Sequence, residues 1–291
     1  MSERAALNRI LCRCSFARPS TSRYCGSRYP GEAPVLNIMW LLDPSISPWL
    51  LLLVAAMAIL YSSVGHGGAS GYLAAMALFG LEPAVMKPAA LTMNIFVTLL
   101  VLWRLSRHGP FNWRLFLPFV VASVPMAYIG GAHTINSSAY HIMVGLALLL
   151  AMWRLLWEGR DSDRIEAPAL WIALPVGAIL GLVSGLTGVG GGIFLSPLLL
   201  LFHWTSMRGC VAIAAAFILL NSIAGLVGYA STATQWPAGI PVLVVTALLG
   251  GLIGAELGAR RLAPVQLRKV LAVVLAVAGA KMIATAWPAP Y

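Results

Sequence analysis

The sequence predicts an all-α integral membrane protein of two homologous halves, inverted with respect to each other, each carrying a Gly-rich helix break. Three observations predict it. Hydrophobic residues make up 60% of the 291 and charged residues 10%, with a mean hydropathy of +0.87, against about 25% charged in soluble chains. Ten apolar segments follow one another from residue 48 onward. Two glycine-rich stretches, 63–72 (SVGHGGASGY) and 184–197 (SGLTGVGGGIFLSP), interrupt them in corresponding places.

Residues 1–38 are foreign to the rest. They are rich in Arg and Ser, hold two acids, Glu3 and Glu32, and contain no apolar run long enough to span. That composition fits a transit peptide or upstream sequence read from an early start codon. Met39, directly before the first apolar segment, favours the second reading, which makes 1–38 a disordered or non-native extension. The expected organisation beyond it is a first transmembrane repeat (39–158), a charged cytoplasmic linker (159–168) and a second repeat (169–291).

The segments run over 48–64, 70–81, 88–103, 115–132, 140–157, 169–184, 192–203, 209–230, 238–258 and 270–287. Crossing a hydrocarbon core of about 30 Å takes roughly 20 residues at 1.5 Å each. Segments two and seven are short and directly follow the glycine clusters. Each reads equally as half of a broken helix, a re-entrant piece or a tilted span.

Landmarks recur between the halves. Gly65 and Gly68 return 120 positions later as Gly185 and Gly188, Lys87 returns as Arg208 (offset 121), and Trp113, Pro118 and Gly131 return as Trp236, Pro241 and Gly254 (offset 123). Basic residues then set orientation. Arg104, Arg107 and Arg114, the central Arg154, Arg160 and Arg164, and Arg260, Arg261, Arg268 and Lys269 mark three cytoplasmic loops, while 133–139 and 231–237 carry no Lys or Arg. With ten crossings each half has five, and an odd repeat must invert. The expected location is a bacterial inner membrane, crossed many times.

The net charge of +10 does not point to nucleic acid, because six of the nineteen basic residues lie in the first 28 and most others flank apolar segments. Three of the four cysteines, Cys12, Cys14 and Cys25, share the N-terminal stretch and Cys210 stands alone, with no disulfide framework and no metal-ligand spacing. No cofactor is implied. The lipid bilayer is the one partner composition requires, and a homo-oligomer is compatible with it.

A repeat of this length, each copy opening with a Gly-rich motif between apolar segments, resembles the TauE/SafE family of membrane proteins. Gly188-Val189-Gly190-Gly191-Gly192, followed by Phe194 and Pro197, matches the family's motif; in the first copy His66 and Ser70 interrupt the glycines. The resemblance covers about 48–287. It implies a secondary transporter that exports a small anion such as sulfite or an organosulfonate.

Physical chemistry favours an anion independently. Where a helix breaks and restarts, several backbone N–H groups lack partners and carry about half a positive charge. Glycines let these groups face a ligand and permit the turns that form anion nests. The expected substrate-binding residues are Gly188, Gly190, Gly191 and Gly192 facing Gly67, Gly68 and Gly71, with the hydroxyls of Ser63, Ser70, Ser184 and Thr187 assisting. Glycines at four-residue spacing, 177/181/185 and 250/254/258, read instead as close helix packing.

Ionisable groups in apolar segments are candidates by default. Lys87 and Arg208 either draw an anion toward the site or anchor at headgroups. His66 sits within the first motif as ligand or titrating group. His133 and Glu256, 123 apart, are candidates for carrying a proton or for an interfacial role. Asn94 and Asn221 suit helix–helix hydrogen bonds or ligand contact, and Lys281 suits snorkelling.

Enzymes are the weaker reading. Gly68-Ala69-Ser70-Gly71 spells the GxSG of rhomboid-like proteases, which need a histidine base, but the stretch 120 positions on has Gly190 in place of Ser70. No GK[ST] follows the glycines and no strand precedes them. A passive anion channel is the serious alternative.

Overall fold

The computed structural model describes residues 46–63, 67–105, 111–156, 167–233, 236–260 and 265–286. The extension 1–38, most of the 159–168 linker, His66 and the side chain of Arg208 lie outside the described residues. The described residues form ten α-helices and no strand: α1 (Pro48–Ser63), α2 (Ala69–Leu78), α3 (Pro83–Leu105), α4 (Trp113–Ala132), α5 (Ser137–Leu156), α6 (Leu170–Thr187), α7 (Gly192–Leu201), α8 (Met207–Thr232), α9 (Ile240–Arg260) and α10 (Val265–Ala286). Each apolar segment became a helix. The clearest boundary differences are in α3 and α10, which start five residues ahead of their apolar runs.

Helix starts follow local chemistry. Pro48 and Pro83 open α1 and α3, where the missing N–H costs nothing. Asn112 Oδ1 accepts from the Leu115 amide at 3.2 Å to begin α4, and Ser206 Oγ accepts from the Gly209 amide at 3.3 Å to begin α8. Five helices are long and apolar enough to cross a membrane, α3, α4, α6, α8 and α9; α1, α2, α5, α7 and α10 carry shorter apolar stretches.

Glycine seams join the helices. Gly177, Gly181 and Gly185 of α6 step along the α4 backbone at Phe119, Ser123 and Ala127, so closely that a β-carbon on any of them would strike the carbonyl opposite. Gly250 and Gly254 of α9 sit in the same way on Ala55 and Ile59 of α1. The packing expected for these spacings is what they do; the side-chain position of residue 258 lies outside the described residues. Without a hydrophobic drive between helices in lipid, this close approach is what gains dispersion contact.

Two buried clusters result. One gathers α1, α2, α3 and α9 with α5 and α10; the other gathers α4, α6, α7 and α8. Between them α3 packs against α8.

Candidate functional site

The second glycine-rich stretch lies between the end of α6 and the start of α7, and Gly67 and Gly68 of the first directly precede α2. α6 ends at Thr187, Gly188 closes it in the left-handed region (φ 82°), Gly190 and Gly191 follow at φ 82° and 78°, and α7 begins at Gly192. Three left-handed residues in four positions cost a side-chain-bearing chain roughly 1–2 kcal/mol each, so glycine is the residue that permits this turn. Gly68 (φ 88°) likewise caps the start of α2. Both α2 and α7 are ten residues long, are capped at the end by Phe79 and Phe202, and are followed by residues at positive φ, Gly80 and His203.

The two stretches meet at Asn94 of α3. A β-carbon at Gly67 would lie 3.0 Å from Asn94 Oδ1 and 3.1 Å from Ile218 of α8. One at Gly190 would lie 2.7 Å from Asn94 Nδ2, 2.8 Å from Ile218 and 3.1 Å from Ser222 Oγ. Asn94 Nδ2 donates to the Val189 carbonyl and to Ser222 Oγ, both at 3.4 Å. Gly67 and Gly190 therefore face each other across one fully buried amide.

Not every expected donor is available. The Gly188 amide is taken by the Ser184 carbonyl at 2.9 Å, and the Val189 amide by Thr187 Oγ1 at 3.3 Å. Thr187 Oγ1 itself donates to Val183, Ser63 Oγ to Leu60, and Ser70 Oγ to the hydroxyl of Tyr61, each at 2.7 Å. Gly71 packs on Met57 and Tyr61. By contrast, five buried polar atoms among the described residues have no hydrogen-bond partner: Ser62 Oγ, Tyr72 OH, Asn94 Oδ1, Ser184 Oγ and Asn221 Oδ1. Three of them ring the breaks. Tyr72 OH would be 2.8 Å from a β-carbon on Gly68, Asn94 Oδ1 borders Gly67, and the Ser184 side chain borders Gly191 at 3.3 Å. Leaving such a group unmade costs about 1–3 kcal/mol. Tyr72 escaped the sequence reading, although a helical side chain leans toward the N-terminus of its own helix and so covers the cap four residues earlier.

Lys87 is 6% exposed, and its ammonium donates to the carbonyls of Gly130, Gly131 and His133 at 3.0, 2.9 and 3.0 Å. All three N–H bonds are thus spent on the last turn of α4, the negative end of that helix. Its backbone abuts Gly188. Lys281 of α10 donates to the carbonyl of Leu78, the last residue of α2, at 2.7 Å. His133 caps α4, with Nδ1 2.9 Å from the Ile129 carbonyl. Glu256 pairs with Arg104 at 2.8 Å. The two proton-carrying candidates are not brought together: His133 lies at the end of α3 that holds Lys87, Glu256 at the end that holds Arg104.

A cleft of about 1110 Å³ opens beside Lys87, bounded by the ends of α2, α4, α8 and α10 and the starts of α3 and α5. Its lining reaches Leu186, next to the end of α6, and Tyr140, whose hydroxyl donates to the Thr187 carbonyl at 3.1 Å.

Residues 50–282 match the family described as Sulfite exporter TauE/SafE. The chain is 35% identical over 232 residues to Probable membrane transporter protein y4hK of Sinorhizobium fredii, covering 78% of this chain and 94% of the relative. It is 27% identical over 261 residues to a probable membrane transporter protein of Methanocaldococcus jannaschii (81% and 95% covered), and 24% identical over 256 residues to Probable membrane transporter protein YjnA of Bacillus subtilis (80% and 98%). No solved structure matches the chain.

Proposed function

The chain belongs to the sulfite exporter TauE/SafE family, and from that premise we propose that it is a secondary carrier exporting a small oxyanion, sulfite or an organosulfonate, bound where Gly67–Gly68 and Gly188–Gly192 meet. It is a multi-pass membrane transporter and not an enzyme. The observation that carries the site is the set of unpartnered buried atoms of Tyr72, Asn94 and Ser184 around the two breaks. The hydroxyls donate to an anionic oxygen, alongside the first amides of α2 and α7, which by helix geometry have no partner within their own helices. Asn94 Oδ1 accepts, and suits the O–H of a protonated oxyanion such as hydrogensulfite. Neutral donors at helix ends hold an anion without fixing it as a buried cation would.

The reading also takes the two halves as inverted repeats. The pairing of helices supports it: α1 packs on α9 as α6 does on α4, α3 on α9 as α8 on α4, and α2 on α10 as α7 on α5, while α3–α8 and α5–α10 pair across the axis. Each half contributes its first three helices to one cluster and its fourth to the other. The matching caps of α2 and α7 support a register of 123, in which Gly65-His66-Gly67-Gly68 corresponds to Gly188-Val189-Gly190-Gly191, beside the offset of 120 that the glycines offer in the sequence. His66 then answers Val189, and Lys87 answers Cys210 instead of Arg208.

The test is flux in proteoliposomes across sulfite, sulfate, sulfonates and carboxylates. The expected result is saturable, gradient-coupled exchange of sulfite or sulfonates. Conductance that does not saturate makes the protein a channel and overturns the carrier.

A further inference from the structure

We infer that the cleft beside Lys87 is an anion vestibule, in which Lys87 and Lys281 cancel helix ends that would repel the substrate and Lys281 is the cation it meets between the breaks and water. The inference rests on the carrier reading above and adds the path and the charge along it.

The cleft is bounded by four helix carboxyl ends. Each carboxyl end carries roughly half a negative charge, only partly offset by the amino ends of α3 and α5 that share the lining. At two of the carboxyl ends a lysine intervenes. Lys87 takes three carbonyls of the α4 terminus and Lys281 takes that of Leu78 at the α2 terminus. A full positive charge against about half a negative one reverses the sign at both ends. Among the described lining residues the carboxylate is Glu82, set against these two lysines.

Position completes the argument. The cleft's inner wall includes Leu186 and Lys87, and Lys87 backbone touches Gly188 of the second break. Lys281 lines the same cleft from α10, one turn from that helix's end, with its side chain only partly buried. Arg104 marks the other end of α3, the end with the basic loops. The vestibule therefore opens on the face opposite those loops.

The test uses the full chain in right-side-out vesicles, with radiolabelled sulfite supplied on the cleft side and exchange rates followed against sulfite concentration and ionic strength. Lys281→Gln keeps a donor for Leu78 and loses the charge. It is expected to raise KM by about three- to tenfold at low salt and to flatten the salt dependence, with maximal rate within twofold. Lys281→Arg is expected to keep both wild-type properties. Thr285→Lys adds charge to the same lining and is expected to lower KM, which serves if Lys281→Gln does not fold. Wild-type KM and salt dependence in Lys281→Gln, or an unmoved KM in folded Thr285→Lys, overturns the vestibule. A Gly190→Leu control separates the two readings: flux lost there with Lys281→Gln unaffected leaves the site standing without its vestibule. Wild-type flux in Gly190→Leu defeats the site itself.

Discussion

At the residue scale, the proposed site rests on groups that the fold leaves unused. Tyr72→Phe removes a buried hydroxyl that has no partner in the protein. Removing such a group is neutral or stabilising for folding, so thermal unfolding is expected at or above the wild-type midpoint. A hydrogen bond to a charged ligand is worth about 1.5–3 kcal/mol, so KM for sulfite is expected to rise about tenfold or more. A lowered melting point with unchanged KM assigns Tyr72 to packing alone. Gly190→Leu and Gly191→Leu are expected to abolish transport while the protein still inserts, because each side chain would enter the space of Asn94 or Phe217 at a backbone φ near 80°; membrane fractionation with flux checks both halves of that statement. Lys87 shows why residue type alone misleads. A lysine in an apolar segment suggests either ligand or headgroup, yet its ammonium is occupied by three carbonyls from more than forty residues away.

At the element scale, glycine does two different jobs that spacing distinguishes. Four-residue spacing on α6 makes the seam with α4, whereas the dense run at 188–192 makes the break. Gly181→Leu is therefore expected to cost stability, about 1–3 kcal/mol or more, since its β-carbon meets the Ser123 backbone, which has no freedom to yield. The outcome to look for is loss of folded protein on detergent gel filtration. The Arg104–Glu256 pair ties α3 to α9 with side chains 27% and 49% exposed, so its contribution to stability is small, about 1 kcal/mol at most. If Glu256 carries the coupled proton, Glu256→Gln retains sulfite exchange and loses accumulation driven by a pH gradient; accumulation at the wild-type level removes Glu256 from that role.

At the scale of the whole molecule, orientation is the testable quantity. The positive-inside rule puts the Lys87 end of α3 outside. Asn136→Cys, at an exposed position beyond α4, is expected to react with an impermeant maleimide on intact cells, in a chain freed of its own cysteines. Ser162→Cys in the central charged loop is expected to react only after permeabilisation. The reverse pattern inverts the topology and puts the cleft in the cytoplasm.

Membrane class and the ten helices of the described residues were legible in the chain alone, as was the helix end at Gly188. Hydropathy and glycine content act locally, and in lipid each helix must satisfy its own backbone bonds whatever its neighbours do. The register proposed between the halves was not legible. Glycines recur at several offsets among apolar residues, and it is the similar caps at Gly68 and Gly191, with Phe79 and Phe202 behind them, that support 123. Nor was the distinction between spent and unspent polar groups. Ser70 and Thr187 look as available in the sequence as Ser184 and Tyr72, but hydrogen-bond satisfaction depends on which helices meet. The sequence by itself determined where the chain must break; the tertiary structure alone decided which atoms at the breaks were left without partners, because that is settled by contacts between residues far apart in the chain.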